Sequence, residues 1–313
     1  MNAPDLVGGD GAALGVAQEV AGAWHDAGLS GAFLARHLGT GAEIGIDVDR
    51  QLPLASLVKL PLALAVLDAA ARGELGPRGE AEPVEVDPAT ATRGRTGFGA
   101  FRHPATVALG DLVDSVLTVS DNAAADLLFD RLPPERVSAA LAGWGLTDPA
   151  GGGIVVRHRL RDLHDAAAAA APDEETALAL AVRAATEGGG HAIAMLDVAA
   201  ANVGSARAVA DLLAAVWSDA VAAPEVCARV RDAMRRQLTS HRIAPELATD
   251  AVRVATKTGS FLNLRHDAAV VEAGEQTVVV VALTESRVLV TADPGADLAI
   301  GRAARWAFEA LRD

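Results

Sequence analysis

The sequence predicts an α/β (α+β) chain: an antiparallel sheet domain made from both chain ends, with an all-helical domain inserted between them. Three observations carry this. "GAFLARHL" and "AEIGIDVD", split by "GTG", read as a strand hairpin near the start. "AVRVATKTG", "DAAVVEA" and "QTVVVVALT" are β-branched runs near the end, separated by turns such as "AGE". Most of what lies between has helical spacing. The expected division is 1–60 with 205–313 for the sheet domain and 61–204 for the helical domain.

Taken in order, residues 11–28 show helical spacing with Gly28 as a stop, ahead of the hairpin. From Ser56 to about Arg72 the pattern is an almost wholly apolar helix, hence buried. Pro61 is comfortable only in a first turn, so that helix must begin near Ser56. Residues 76–104 are rich in Gly, Pro and charge and read as loop with short elements. "VALGDLVDSVLTV" and "AAADLLFDRL" are helical, interrupted by "SDN"; 135–146 is a short helix and 147–160 a loop containing "GGG". Residues 174–186 form an Ala-rich helix; Ser205 is the N-cap of another running to about Ala220; 225–239 is helical. An amphipathic helix from about Asp297 to Arg312 closes the chain.

The chain has 313 residues, 51% of them hydrophobic, which suffices for a sizeable core. The net charge of −14 disfavours nucleic acid and anionic membrane as partners and leaves a small-molecule substrate as the expected one. The single cysteine, Cys227, allows no internal disulfide, and without a Cys cluster no metal or cofactor is expected. The first residues lack a basic segment followed by a long apolar one, and the longest alanine run, 166–171, is too short to span a bilayer; a cytoplasmic location is expected.

There is no tyrosine, and of 27 basic residues only Lys59 and Lys257 are lysines. Unlike arginine, lysine can lose its proton when buried. Both fall in short motifs that occur in order: "SLVK" at 56–59, "SDN" at 120–122 and "KTG" at 257–259. In "LASLVKL" the polar pair reads either as a helix N-cap beside a surface lysine or as a nucleophile beside its base. At a helix start, residues i and i+3 share a face, so Ser56 and Lys59 would touch. A serine hydroxyl needs something to take its proton, and an amine serves only if burial or a second cation, such as Lys257, depresses its pKa. Ser120 is placed to relay a proton to a leaving nitrogen, and Asn122 to hold Lys59 or a substrate amide. The backbone N–H groups of Ser56 and Ser260 form a candidate oxyanion hole.

This motif set resembles the penicillin-recognising serine acyltransferases, most closely the class A β-lactamases and β-lactamase-like serine hydrolases, over roughly 30–312. The resemblance implies the β-lactamase/transpeptidase-like fold. It implies Ser56 as the acylated nucleophile, Lys59 as the acylation base or its partner, Ser120 and Asn122 as the second motif, and Lys257, Thr258 and Gly259 as the third, with Ser260 at the oxyanion-hole position. The class C enzymes use a tyrosine in the second motif, which this chain lacks.

One departure matters. Class A enzymes carry a glutamate in the pattern R-x-E-x-x-L-N on an Ω-shaped loop, where it activates the deacylating water. The nearest match, "RLRDLHD" at 159–165, puts Arg161 or Leu160 at that place. Asp162 or Asp165 is the remaining candidate base, with an exposed loop charge as the alternative reading. The stretch 165–200 is also long for the family and is expected to reshape the pocket edge.

Arg265 reads either as a clamp for a substrate carboxylate or as a surface arginine in a turn. His158 and His164 read as loop histidines, His103 as lining the site mouth or exposed, and the four tryptophans as packing residues. "GTG" and "GGG" lack the context of a nucleotide site. The functional expectation is a serine hydrolase working through an acyl-serine on a β-lactam or related amide or ester, with slow deacylation. The alternatives are a cytoplasmic esterase, peptidase or acyltransferase of small-molecule metabolism, and a non-turnover β-lactam-binding module.

Overall fold

The computed structural model describes residues 3–147, 152–184 and 190–312. The chain opens with β1 (Leu6–Gly8), α1 (Gly11–Asp26), β2 (Leu29–His37), β3 (Glu43–Ile46) and β4 (Leu52–Pro53). A 3-10 turn, Ala55–Val58, runs directly into α2 (Lys59–Ala71). Then come β5 (Pro83–Val86), β6 (Ala105–Ala108), α3 (Leu109–Thr118), α4 (Asn122–Arg131) and α5 (Pro134–Gly143). The second half holds α6 (Leu160–Ala170), α7 (Glu174–Arg183), β7 (Val203–Gly204), α8 (Ala206–Trp217) and α9 (Pro224–Arg235). It ends with β8 (Val252–Phe261), β9 (Leu264–Ala273), β10 (Gln276–Ser286) and α10 (Pro294–Arg312).

The main sheet has strand order β1-β3-β2-β10-β9-β8, with antiparallel pairing throughout. Alternation along the strands divides its side chains between two cores. Phe33, Ala35, Val278 and Val280 pack with Ala17, Val20 and Trp24 of α1 and Ile300 and Ala303 of α10. Ala32, Leu34, Val279 and Val281 face the other way, in one core with α2, α3, α4, α5, α8 and α9. The α+β architecture with both chain ends in one sheet is as predicted. Glycine at 31 is required by a backbone approach: its φ is +154°, and a Cβ there would lie 1.9 Å from Leu283 O.

Three elements differ from the sequence reading. Ser56 caps nothing; it sits within the 3-10 turn, and α2 begins at Lys59 without a side-chain cap. Pro61 does fall in the first turn of α2. Val107 and Ala108 belong to β6, which pairs with β5, rather than to α3. "RLRDLHD" is mostly the start of α6 instead of a loop, because buried Asp126 accepts the Leu160 and Arg161 N–H groups at 2.9 and 3.2 Å and so caps the helix from α4. Gly151 of "GGG" and the end of the expected 174–186 helix lie outside the described residues.

A third cluster joins Leu163 and Ala167 of α6, Ala181 of α7, Ile193, Met195 and Leu196 to Ala55 and Leu264. Ala167, Ala181, Ile193, Met195 and Leu196 of the long stretch therefore share a cluster with the residue that precedes Ser56. Trp24 and Trp306, and Trp144 and Trp217, pack against the two large cores, as expected. Among the described residues no helix is long and apolar enough to cross a membrane.

Candidate active site

The site forms where the 55–58 turn, the α3–α4 junction and edge strand β8 converge. Ser56 is the one residue from 52 to 60 that is not buried. It is preceded by Ala55 at φ +46°, a left-handed conformation that a non-glycine residue holds at a cost of about 1–3 kcal/mol. Ser120 is likewise left-handed, at φ +56°. Strain thus sits at both turns that present a serine. Opposite Ser56, a Cβ on Gly259 would lie 3.1 Å from Leu54 O and 3.2 Å from Leu57 Cγ, so the absent side chain is what lets the serine turn approach β8.

Lys59 is fully buried and lies at the centre. Its Nζ is 2.6 Å from Ser120 O and 2.6 Å from Asn122 Oδ1, and 3.2 Å from both Ser56 Oγ and Ser120 Oγ. Burial pushes this amine down to about 7, against the opposing pull of Asp121 and Asp126. A neutral amine has two N–H groups and one lone pair. The two short contacts go to acceptors that cannot donate, Ser120 O and Asn122 Oδ1, and absorb both N–H groups. The lone pair is left for a serine hydroxyl, which is the arrangement a general base requires.

Lys257 is also fully buried; its Nζ donates to Ser120 Oγ at 3.0 Å and to Thr258 O at 2.7 Å. Ser120 Oγ therefore bridges both amines. Burial, reinforced by the Lys59 charge, holds Lys257 well below the ordinary lysine range. Burial is the largest cause for both amines, ahead of any charge between them.

Behind this centre, Asp121 caps α4 by accepting the Ala123 and Ala124 N–H groups, and ties in the 97–100 turn through Phe98 N at 2.6 Å. Asn122, Asp126 and Asp130 recur at four-residue spacing on one face of α4. The first holds Lys59, the second caps α6, and the third pairs with Arg159 and Arg161.

Along β8, Thr258 N–H donates to Gln237 Oε1 at 3.1 Å, away from β9. Period two places Ser260 N–H on that same open edge, facing the serine turn. Thr258 Oγ1 lies 3.1 Å from Thr239 Oγ1. His266, paired with Gly259 across β8 and β9, uses both ring nitrogens: Nε2 donates to Pro53 O at 2.8 Å and Nδ1 accepts Thr284 N–H at 2.9 Å. Burial pushes it down to about 3, so it is a neutral strut beneath the serine turn.

Two expected residues are not where the chemistry needs them. Arg265 is buried, and its guanidinium donates to four backbone carbonyls, those of Leu262, Leu264, Val290 and Thr291. With its donors engaged by the β8–β9 turn and the 290–291 segment, it is a structural clamp and is not placed to grip a substrate carboxylate. Asp162 is exposed on α6, as is Asp165. Asp162 lies about 200° around the helix from His164, the residue of α6 that does reach the site, so the helix turns it to solvent. His103 is exposed, and His158 is held by backbone contacts to Asn202.

Two residues escaped the sequence reading. Arg242 is buried and donates from Nη2 to Ser260 Oγ at 2.9 Å, from Nη1 to His266 O at 2.8 Å and from Nε to Asp297 at 2.8 Å. Because Ser260 Oγ accepts this bond, its own O–H is free to donate outward. Nothing in "SHRIAPEL" marks this arginine among the 24 others of its kind. His164 was read as a loop histidine; it sits on α6, half-buried, with Nε2 3.4 Å from Asn122 Nδ2 and its ring edge-on to Phe261. Among the described residues no group of three or more His, Cys, Asp or Glu side chains has the arrangement of a metal site.

Residues 16–311 match the model of a family described as the beta-lactamase enzyme family. The chain is 43% identical over 311 residues to the beta-lactamase regulatory protein BlaB of Streptomyces cacaoi, covering 95% of this chain and 97% of that one. Among solved structures it resembles PBP-A, with a TM-score of 0.74, 19% identity and 96% coverage of both chains. It also resembles a beta-lactamase from Sphaerobacter thermophilus, with a TM-score of 0.73, 23% identity and coverage of 95% and 96%. Both likenesses show the fold.

Proposed function

Because the chain belongs to the beta-lactamase enzyme family, we propose that it forms an acyl-ester on Ser56 with a β-lactam or a related amide or ester. The observation that carries the reading is buried Lys59 Nζ, 3.2 Å from Ser56 Oγ, with two short bonds to Ser120 O and Asn122 Oδ1 that occupy the N–H groups of the neutral amine. In the acylation step Lys59 takes the Ser56 proton as Oγ bonds to the carbonyl carbon. Ser56 N–H and Ser260 N–H receive the developing oxyanion. The C–N or C–O bond of the substrate then breaks, and the proton passes through Ser120 to the leaving atom. Ser260 O–H, polarised by Arg242, takes over the role first expected of Arg265 and donates to an anionic group on the substrate.

A second reading has its own support. A relative of 43% identity over nearly the full chain is named a regulatory protein. An acyl-serine that is released slowly would serve a β-lactam-responsive switch as well as an enzyme. The esterase, peptidase and acyltransferase alternatives use the same acyl-serine and differ in leaving group and acceptor.

Intact-mass spectrometry after incubation with a panel of penicillins, cephalosporins and activated esters tests the proposal. The expected result is a mass gain of one acyl group in the wild type and none in Ser56→Ala. No gain with any compound would refute the acyl-serine. A gain retained in Ser56→Ala would refute the assignment of the nucleophile.

A further inference from the structure

The site has an acylation base, and the carboxylates that act on it, Asp121 and Asp126, are taken up in capping α4 and α6. We propose that His164 is the general base of deacylation, an inference that rests on the acyl-serine reading. The geometry supports it from three sides. Asn122 is oriented by Lys59: its Oδ1 accepts from Nζ at 2.6 Å, so its Nδ2 must be the group that faces His164. The amide is a donor there, so Nε2 carries a lone pair and the proton sits on Nδ1. That lone pair is 3.4 Å from Asn122, which touches Lys59, which in turn is 3.2 Å from Ser56 Oγ. At 3.4 Å the Asn122 bond is long, and a water can displace it.

The helix that carries His164 is held at several points. Asp126 caps its N-terminus, Asp130 holds Arg161, and Leu163 and Ala167 pack in the same cluster as Ala55. Phe261 at the end of β8 stands edge-on to the ring at 5.6 Å. The charged groups around the imidazole are Lys59 on α2, Asp126 on α4 and Asp165 on its own helix. Burial, aided by the Lys59 charge and opposed by the two carboxylates, keeps it below the ordinary histidine range, so it is neutral and basic at neutral pH.

The step balances without a further reactant. Water attacks the carbonyl carbon of the Ser56 ester and gives a proton to Nε2 as the new C–O bond forms. The tetrahedral intermediate collapses by breaking the bond to Ser56 Oγ, and the imidazolium proton returns to that oxygen. The products are a free carboxylic acid, a serine hydroxyl and neutral imidazole.

The test is the rate of appearance and of decay of the Ser56 adduct, followed by intact mass in the wild type, His164→Gln and His164→Phe across pH 5–9. Decay in both variants is expected to slow by about 100-fold or more, the usual worth of a general base, while adduct formation changes by less than about threefold. Wild-type decay is expected to rise with pH to a plateau, with its midpoint below the histidine reference of 6.5; both variants lose that limb. Equal decay rates in wild type and variants overturn the inference and leave the acyl-serine intact. So does a midpoint near 7 that persists in the variants, which would assign the step to Lys59. A parallel fall in formation and decay, showing a packing role only, overturns it as well. A wild type that forms no adduct overturns both readings together.

Discussion

Lys59 Nζ stands 3.2 Å from Ser56 Oγ across the junction between a 3-10 turn and α2, with no titratable group between them. Because burial pushes the amine down to about 7, the fraction able to accept a proton rises with pH. Adduct formation should therefore rise about tenfold from pH 6 to pH 8 with a midpoint near 7, measured as the initial rate of mass gain. A rate that falls over this range would contradict the assignment.

The same depressed amine makes a stability prediction. In the unfolded chain Lys59 binds its proton up to the ordinary lysine value of 10.5, whereas in the folded chain it lets go at about 7. Between these values the unfolded state holds more protons, so stability rises with pH, by up to about 1.4 kcal/mol per unit. The free energy of unfolding of the wild type minus that of Lys59→Met should thus climb from pH 7 to pH 10 in urea titrations. Lys59→Met should also slow adduct formation by at least about 100-fold. A pH-independent difference would contradict the burial argument.

Arg242 and Arg265 should separate cleanly. Arg265→Ala leaves backbone carbonyls of Leu262, Leu264, Val290 and Thr291 without their buried donor and should cost about 3 kcal/mol of stability. Its residual folded fraction should keep the wild-type preference between anionic and uncharged substrates. Ser260→Ala removes the hydroxyl that Arg242 polarises. It should instead raise KM for a carboxylate-bearing β-lactam about tenfold and leave an uncharged ester unchanged. Paired urea melts and KM measurements on both substrate types check this.

Gly259→Val tests the contact between the serine turn and β8. A Cβ at 3.1 Å from Leu54 O is already tight, and two further methyls must push the turn away. A loss of about 1–3 kcal/mol is expected, with adduct formation slowed by more than tenfold at a temperature where the variant remains folded.

The motifs were legible because chemistry and composition coincided in them. Both lysines of the chain lie in the site, and the α+β order of elements followed from β-branched runs at one end and helical spacing in the middle. The α6 helix was hidden because its cap is supplied in space, by Asp126 some 34 residues upstream, rather than by the Arg159 that precedes it. Arg265 looked available because sequence shows a guanidinium and not the four carbonyls that occupy it. Arg242 had no signal at all. His164 was visible as a residue, but its neighbour Asn122 is 42 positions away, and only the fold turns it inward while turning Asp162 out.

The central claim is the acylation of Ser56, and peptide mapping of the protein after brief exposure to a penicillin at pH 8 tests it most directly. The account expects a single modified peptide, with the intact opened penicillin carried on Ser56, and no modified peptide in Lys59→Met over the same interval. A modification mapped to Ser120, Ser260 or a lysine, or an unmodified Ser56 at full penicillin exposure, would contradict it.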